Sequence, residues 1–189
     1  MTINIARFIS LIGHPALLMP LVAAISVANS GEQPKGLFTI FIAVSFALLV
    51  VIFCLFKTKT GQWAHVDASQ KSERKELNLV ASATLLLGAI ALYIGNQLSA
   101  LVVAVALSGA IVLACHLFSA VAKPSLHVGF AVFASWLMTP DTTAVIAILV
   151  FAVFIGWSRL CLQRHTGVDL TIGAGIGLFA GASFQLLSQ

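Results

Sequence analysis

The chain has 189 residues, 60% of them hydrophobic and 8% charged, with a net charge of +4 and a mean hydropathy of +1.06. A soluble domain carries roughly 25% charged residues, so this composition excludes an ordinary water-soluble domain and fits one polytopic membrane domain over residues 1–189. Nucleic acid is not an expected partner, because there is no long basic run and no basic stripe interleaved with aromatics.

The opening MTINIARFISLIGHPALLMPLV sets Arg7 ahead of an apolar run with no clean small-residue cleavage site behind it. It reads as a retained span rather than a removed signal peptide. About 20 apolar residues cross a hydrocarbon core of roughly 30 Å. Seven segments are candidates: 9–29, 37–56, 77–95, 98–121, 125–139, 142–161 and 168–187, the fifth being short. Lipid leaves every backbone N–H and C=O to be satisfied within the chain. The expected fold is therefore all-α, a polytopic transmembrane helical bundle of six to seven spans. The glycines of GAGIGLFAG in the last segment suit close helix packing. Cys54, Cys115 and Cys161 lie far apart in apolar runs, without zinc-type spacing, and read as small buried hydrophobes.

Polar residues gather in three connections. The first is KTKTGQWAHVDASQKSERKE, residues 57–76; the second is AKPSLH, residues 122–127; the third is SRLCLQRHTGVDL, residues 158–170. They follow the second, fourth and sixth segments, so two crossings separate each from the next and all three emerge on one face. Every Lys and Arg except Lys35 falls on that face. By the positive-inside tendency it leans towards the cytoplasmic side of an inner membrane.

These connections carry the chemistry of phosphoryl transfer. Arg74, Arg159, Lys71, Lys75 and Lys123 offer N–H donors and positive charge to phosphate oxygens. A helix starting near Pro124 would aim free amides at an anion, and Ser125 adds a hydroxyl. His165 and Asp169 are four apart and would share a face if their segment were helical; Ser158 and Arg159 would lie near that face if the helix ran on. His165 would attack phosphorus and Asp169 would orient it. His127, from another connection, would protonate the departing alkoxide and then activate water. His14 and His116 read as ordinary polar residues near span ends on the site face, and His65 in the first connection is less informative still. Trp63, Trp136 and Trp157 read as interface or packing residues, and Glu32 and Asp141 as solvated groups on the opposite side.

The motif SRxxxxxHxxxD, Ser158 to Asp169, resembles the third signature of the type 2 phosphatidic acid phosphatases, whose superfamily includes bacterial acid phosphatases and vanadium haloperoxidases. PSLH, Pro124 to His127, resembles their PSGH. DASQKSER, Asp67 to Arg74, has the spacing of their KxxxxxxR. The resemblance implies a phosphatase/haloperoxidase-like helical core and a phosphohistidine on His165. It implies Asp169 as partner, His127 as acid, and Arg74, Ser125 and Arg159 as phosphate ligands. No cofactor and no metal are expected, and the expected partners are a lipid phosphate substrate and membrane lipid. Three positions depart from the pattern: Asp67 stands where the family has Lys, Lys75 where it has Pro, and Leu126 where it has Gly. Either Lys71 or Lys75 supplies the charge missing at Asp67 or the site holds its phosphate less tightly, and Leu126 keeps a backbone N–H to offer but makes the pocket there bulkier. The alternative function is a non-catalytic membrane binding or transport protein with a degenerate phosphatase site.

Overall fold

The computed structural model describes residues 2–30, 35–64, 68, 70–97 and 99–188. Among them the chain forms eight helices and no strand: α1 (Thr2–Ile12), α2 (Pro15–Ser30), α3 (Lys35–Lys59), α4 (Lys71–Ile94), α5 (Ser99–Phe118), α6 (Leu126–Leu137), α7 (Thr142–Cys161) and α8 (Gly167–Leu187). Five of these, α3, α4, α5, α7 and α8, are long and apolar enough to cross a membrane, and the α1–α2 pair makes a sixth if it counts as one bent span. The sequence expectation of six to seven spans therefore survives only at its lower end. The segment 125–139 holds a helix of 12 residues, about 18 Å long at 1.5 Å per residue, against a hydrocarbon core of about 30 Å.

Two element starts differ from the hydropathy reading. The first segment breaks after Ile12, and α1 and α2 meet at 56°. Pro15 has no N–H to give to a preceding turn, and its ring disfavours helical backbone at His14. In the other case α4 begins at Lys71, six residues ahead of the apolar run, because Gln70 and Glu73 form a reciprocal capping box. Glu73 is 5% exposed and also accepts the Ala64 N–H at 2.8 Å, tying the preceding loop to the helix. Trp63 is buried against Phe53 and Cys54, and its indole N–H donates to Glu76 at 3.0 Å.

α6 is the central helix. One side packs with Leu18, Val22 and Ile155 of α2 and α7, the other with Ile111, Val112 and Ala180 of α5 and α8. A helix apolar on all sides belongs in the interior. The His14 and His127 rings are 5.0 Å apart at the starts of α2 and α6. At their ends Asn29 Nδ2 donates to Asp141 at 3.2 Å. The two helices thus run parallel from one rim of the bundle to the other. Asp141, expected to be merely solvated, also caps α7 by accepting the Ala144 N–H at 3.0 Å.

α8 meets α6 through glycine. A Cβ on Gly173 would stand 2.5 Å from the Ser125 carbonyl oxygen, and one on Gly177 would collide with the carbonyl oxygen of Gly129. These residues recur every fourth position on both helices, so two backbones approach along a small-residue stripe. The stripe holds the start of α6 against the start of α8, with the Ser125 N–H donating to the Asp169 carbonyl at 3.0 Å. Gly177→Ala is expected to lower stability by about 1–3 kcal/mol through overpacking. Gly175→Ala, whose Cβ would meet nothing within 4 Å, should be neutral or stabilising because alanine is the better helix former. Thermal unfolding of the two variants in detergent checks the contrast.

α3 covers the bundle loosely. Leu48, Leu49, Ile52 and Phe56 are exposed on it, a surface suited to lipid rather than water. Between α3 and α4 lies an apolar groove of about 370 Å³, lined by Val50, Phe53, Phe56, Leu77, Val80 and Thr84 among others.

Candidate active site

The second and third polar connections meet at the rim where α6 and α8 begin, and Arg74 of the first is near enough for its charge to act on His165. α7 ends at Cys161, and Gln163 adopts a left-handed turn with φ 53°. The helix does not run on to His165. Thr166 instead caps α8, exchanging bonds with Asp169 in a capping box. His165 and Asp169 therefore flank a helix start and do not share a helical face.

Asp169 bridges two of the connections. Its Oδ1 accepts the Lys123 N–H at 2.8 Å and its Oδ2 accepts the Thr166 N–H at 2.8 Å. Its distance to the His165 ring is 3.9 Å, Oδ2 to Nδ1, outside hydrogen-bond range. His165 Nδ1 lies 2.9 Å from the Lys123 carbonyl oxygen. A carbonyl can only accept, so this bond assigns the proton to Nδ1 and leaves the lone pair on Nε2. Sequence reasoning made Asp169 the direct partner of His165. In the structure the carbonyl orients the ring, and Asp169 acts one step back by fixing the amide of that same residue.

His165 is held down from the usual 6.5 to about 4, by burial first and then by the charge of Arg159; Asp169 opposes, and Arg74 and Arg164 add to the lowering. The ring is thus a neutral base throughout the neutral range. Protonation favours the unfolded chain, whose histidine keeps its ordinary value. Stability linked to His165 should be complete above pH 6.5 and drain away as pH falls from 6.5 towards about 4. Unfolding midpoints in detergent across that window should drop more for the natural chain than for His165→Asn; equal drops would contradict this linkage.

Arg159 is the hub. Its Nη1 donates to Ser10 Oγ of α1 at 2.6 Å. Its charge also reaches His14, His127 and His165. His127, in the first turn of α6, is within electrostatic reach of His165 as well as of His14. Arg74, from the first turns of α4, is close enough for its charge to act on His165. Arg159 and the three histidines thus gather in one region, with Arg74 within electrostatic range of it.

Other expected ligands are used elsewhere. Ser125 is fully buried, its hydroxyl accepting the Val128 N–H at 3.5 Å as the α6 cap. Ser158 is fully buried, donating to the Ile155 carbonyl at 2.7 Å. As placed, neither hydroxyl reaches an open site. Lys123 Nζ donates to the Arg164 carbonyl at 2.8 Å, clamping the third connection instead of facing phosphate. Lys71 and Lys75 are exposed on the first turns of α4, and Leu126 packs its side chain into the apolar cluster of α5, α6 and α8. Asp67 and His65 lie outside the described residues, as does Glu32 on the far side.

Two residues of this region were not singled out for it by sequence reasoning: Ser10 and His14. The usable signal was Gly13–His14–Pro15, a helix break inside an apolar run. Among the described residues no group of three or more His, Cys, Asp or Glu side chains is placed to hold a metal ion. Comparison of the chain with protein-family models, curated proteins and solved structures finds no match.

Proposed function

We propose that this chain is a metal-independent membrane phosphatase of the type 2 phosphatidic acid phosphatase kind, a divergent one, acting on a phosphomonoester or diphosphate of a lipid. The observation that carries the reading is the His165 ring, held by the Lys123 carbonyl through Nδ1 with Nε2 left to act as a nucleophile, and with Arg159, Arg74 and His127 within electrostatic range of it. Nε2 attacks phosphorus and the bond to the leaving oxygen breaks. His127 gives that oxygen a proton. Water then attacks the phosphohistidine, loses a proton to His127, and phosphate departs from Nε2. Arg159 and Arg74 hold the equatorial oxygens as charge shifts among them.

A lipid is favoured over a soluble phosphate by the apolar groove beside α4, which starts one turn below Arg74 at Leu77 and is open to acyl or prenyl chains. Phosphatidate, phosphatidylglycerophosphate and a polyprenyl diphosphate all have the required chemistry. The burial of Ser125 and Ser158 favours one rival, a membrane protein that holds a phosphate without turning it over. Phosphate release from a panel of these lipids, in detergent with a chelator present, separates the two. Sustained release supports the phosphatase. Binding without release from any lipid supports the rival, and loss of release on chelation contradicts the metal-free mechanism.

A further inference from the structure

The break between α1 and α2 puts a third imidazole beside the two already assigned. His14 caps α2: its carbonyl accepts the Leu17 and Leu18 N–H groups at 2.8 and 2.9 Å. Its ring Nδ1 accepts the Ala16 N–H at 3.2 Å. An Nδ1 that accepts cannot carry a proton, so the ring is neutral with its hydrogen on Nε2. The positive end of the α2 dipole disfavours a cation at this position as well. One turn earlier Ser10 receives Arg159 at 2.6 Å, so the kinked arm fastens to the site at two points. The His14 ring stands at 87° to the His127 ring, centroids 5.0 Å apart.

From this geometry we infer that His14 is a positioning residue for His127, fixing the plane in which the His127 ring nitrogens point. The catalytic consequence rests on the phosphatase reading above; the structural part does not. A histidine ring turns in a broad, two-fold χ2 well. A general acid must aim its N–H at one leaving oxygen, and small misplacements are costly in rate. A perpendicular ring, itself locked by a helix cap, removes that freedom. The charged and titratable groups facing His127 are Arg159 from α7, His14 from the break and His165 from the α7–α8 turn; His14 and His165 are both neutral and fixed by backbone bonds, and of the two it is His14 whose ring stands edge-on against the His127 ring.

His14→Asn separates capping from positioning, since asparagine is among the best N-caps but brings no ring. His14→Ser does the same should the first variant fold poorly. The test compares the full-length variants with the natural chain by thermal unfolding, by kcat and KM on the best lipid of the panel, and by 15N NMR of the histidine rings. His127→Gln identifies the His127 signals. Expected are an unchanged unfolding midpoint, an unchanged KM, and kcat lower by about 10- to 100-fold. The two His127 ring 15N shifts should move towards those of a tautomer-averaging free imidazole. Natural kcat with unmoved His127 signals overturns the inference. If the natural chain releases phosphate from no lipid, the functional reading falls, and the ring signals alone still decide whether His14 fixes His127.

Discussion

His165→Ala is expected to cut phosphate release by about a thousandfold or more, because removing a covalent nucleophile leaves only the catalysis supplied by binding and oriented charge. The alanine variant also loses the bond to the Lys123 carbonyl, so a fall in rate could be confused with a loosened loop. His165→Asn removes that ambiguity. Its side-chain amide can donate to the same carbonyl from nearly the position of Nδ1, yet it has no basic nitrogen to attack phosphorus. Both variants should be inactive while only the alanine variant loses stability. A His165→Asn protein that retains its rate would show that the ring is scaffold and that phosphorus is attacked by something else.

The second large effect concerns stability and does not depend on any reading of function. Asp169→Ala should destabilise the fold by about 3 kcal/mol, since bonds to a charged acceptor are worth about 1.5–3 kcal/mol each and it makes two. The carboxylate is 7% exposed and satisfies the amides of Lys123 and Thr166 together. Its loss leaves both donors orphaned and removes half of the α8 capping box. Asp169→Asn keeps one acceptor oxygen and should cost less. The activity of either variant should fall with the order of the second connection, because the carbonyl that orients His165 belongs to the residue whose amide Asp169 holds. Thermal unfolding in detergent, natural chain against both variants, gives the ordering; an Asp169→Ala chain as stable as the natural one would contradict the bridge.

Much of the bundle was legible because lipid imposes a length on apolar runs, and the order of the polar connections is a matter of parity. The count predicts only a shared face for Lys123, His165 and Arg74, and it takes segment 125–139 as a full crossing where α6 has 12 residues; what joins Lys123 to His165 is the bond between them. What escaped are places where a backbone bond outweighs hydropathy. A hydropathy reading passes through Gly13–His14–Pro15 unbroken, since a window of about 19 residues averages them with their apolar neighbours; the missing amide of Pro15 breaks the helix. It starts α4 at the apolar run, whereas the Gln70–Glu73 box starts it at Lys71. The spacing of His165 and Asp169 has two physical meanings, one helical face or the two sides of a helix start. Only Thr166 between them, a good cap, hinted at the second. Ser125 and Ser158 illustrate a further limit: a motif gives residue order, while burial decides which side of the backbone a hydroxyl reaches.

The phosphorylated state of His165 tests the central claim most directly. A His127→Ala chain lacks the group assigned to activating water, so a phosphoryl group transferred to His165 should persist on it. Incubation with an active lipid, rapid quenching at alkaline pH and mass analysis of the peptide spanning Arg159 to Asp169 should find one phosphoryl group on His165, absent in the His127→Ala, His165→Asn double variant. A phosphoryl group on another residue, or release by the natural chain with none trapped on any histidine, would contradict it.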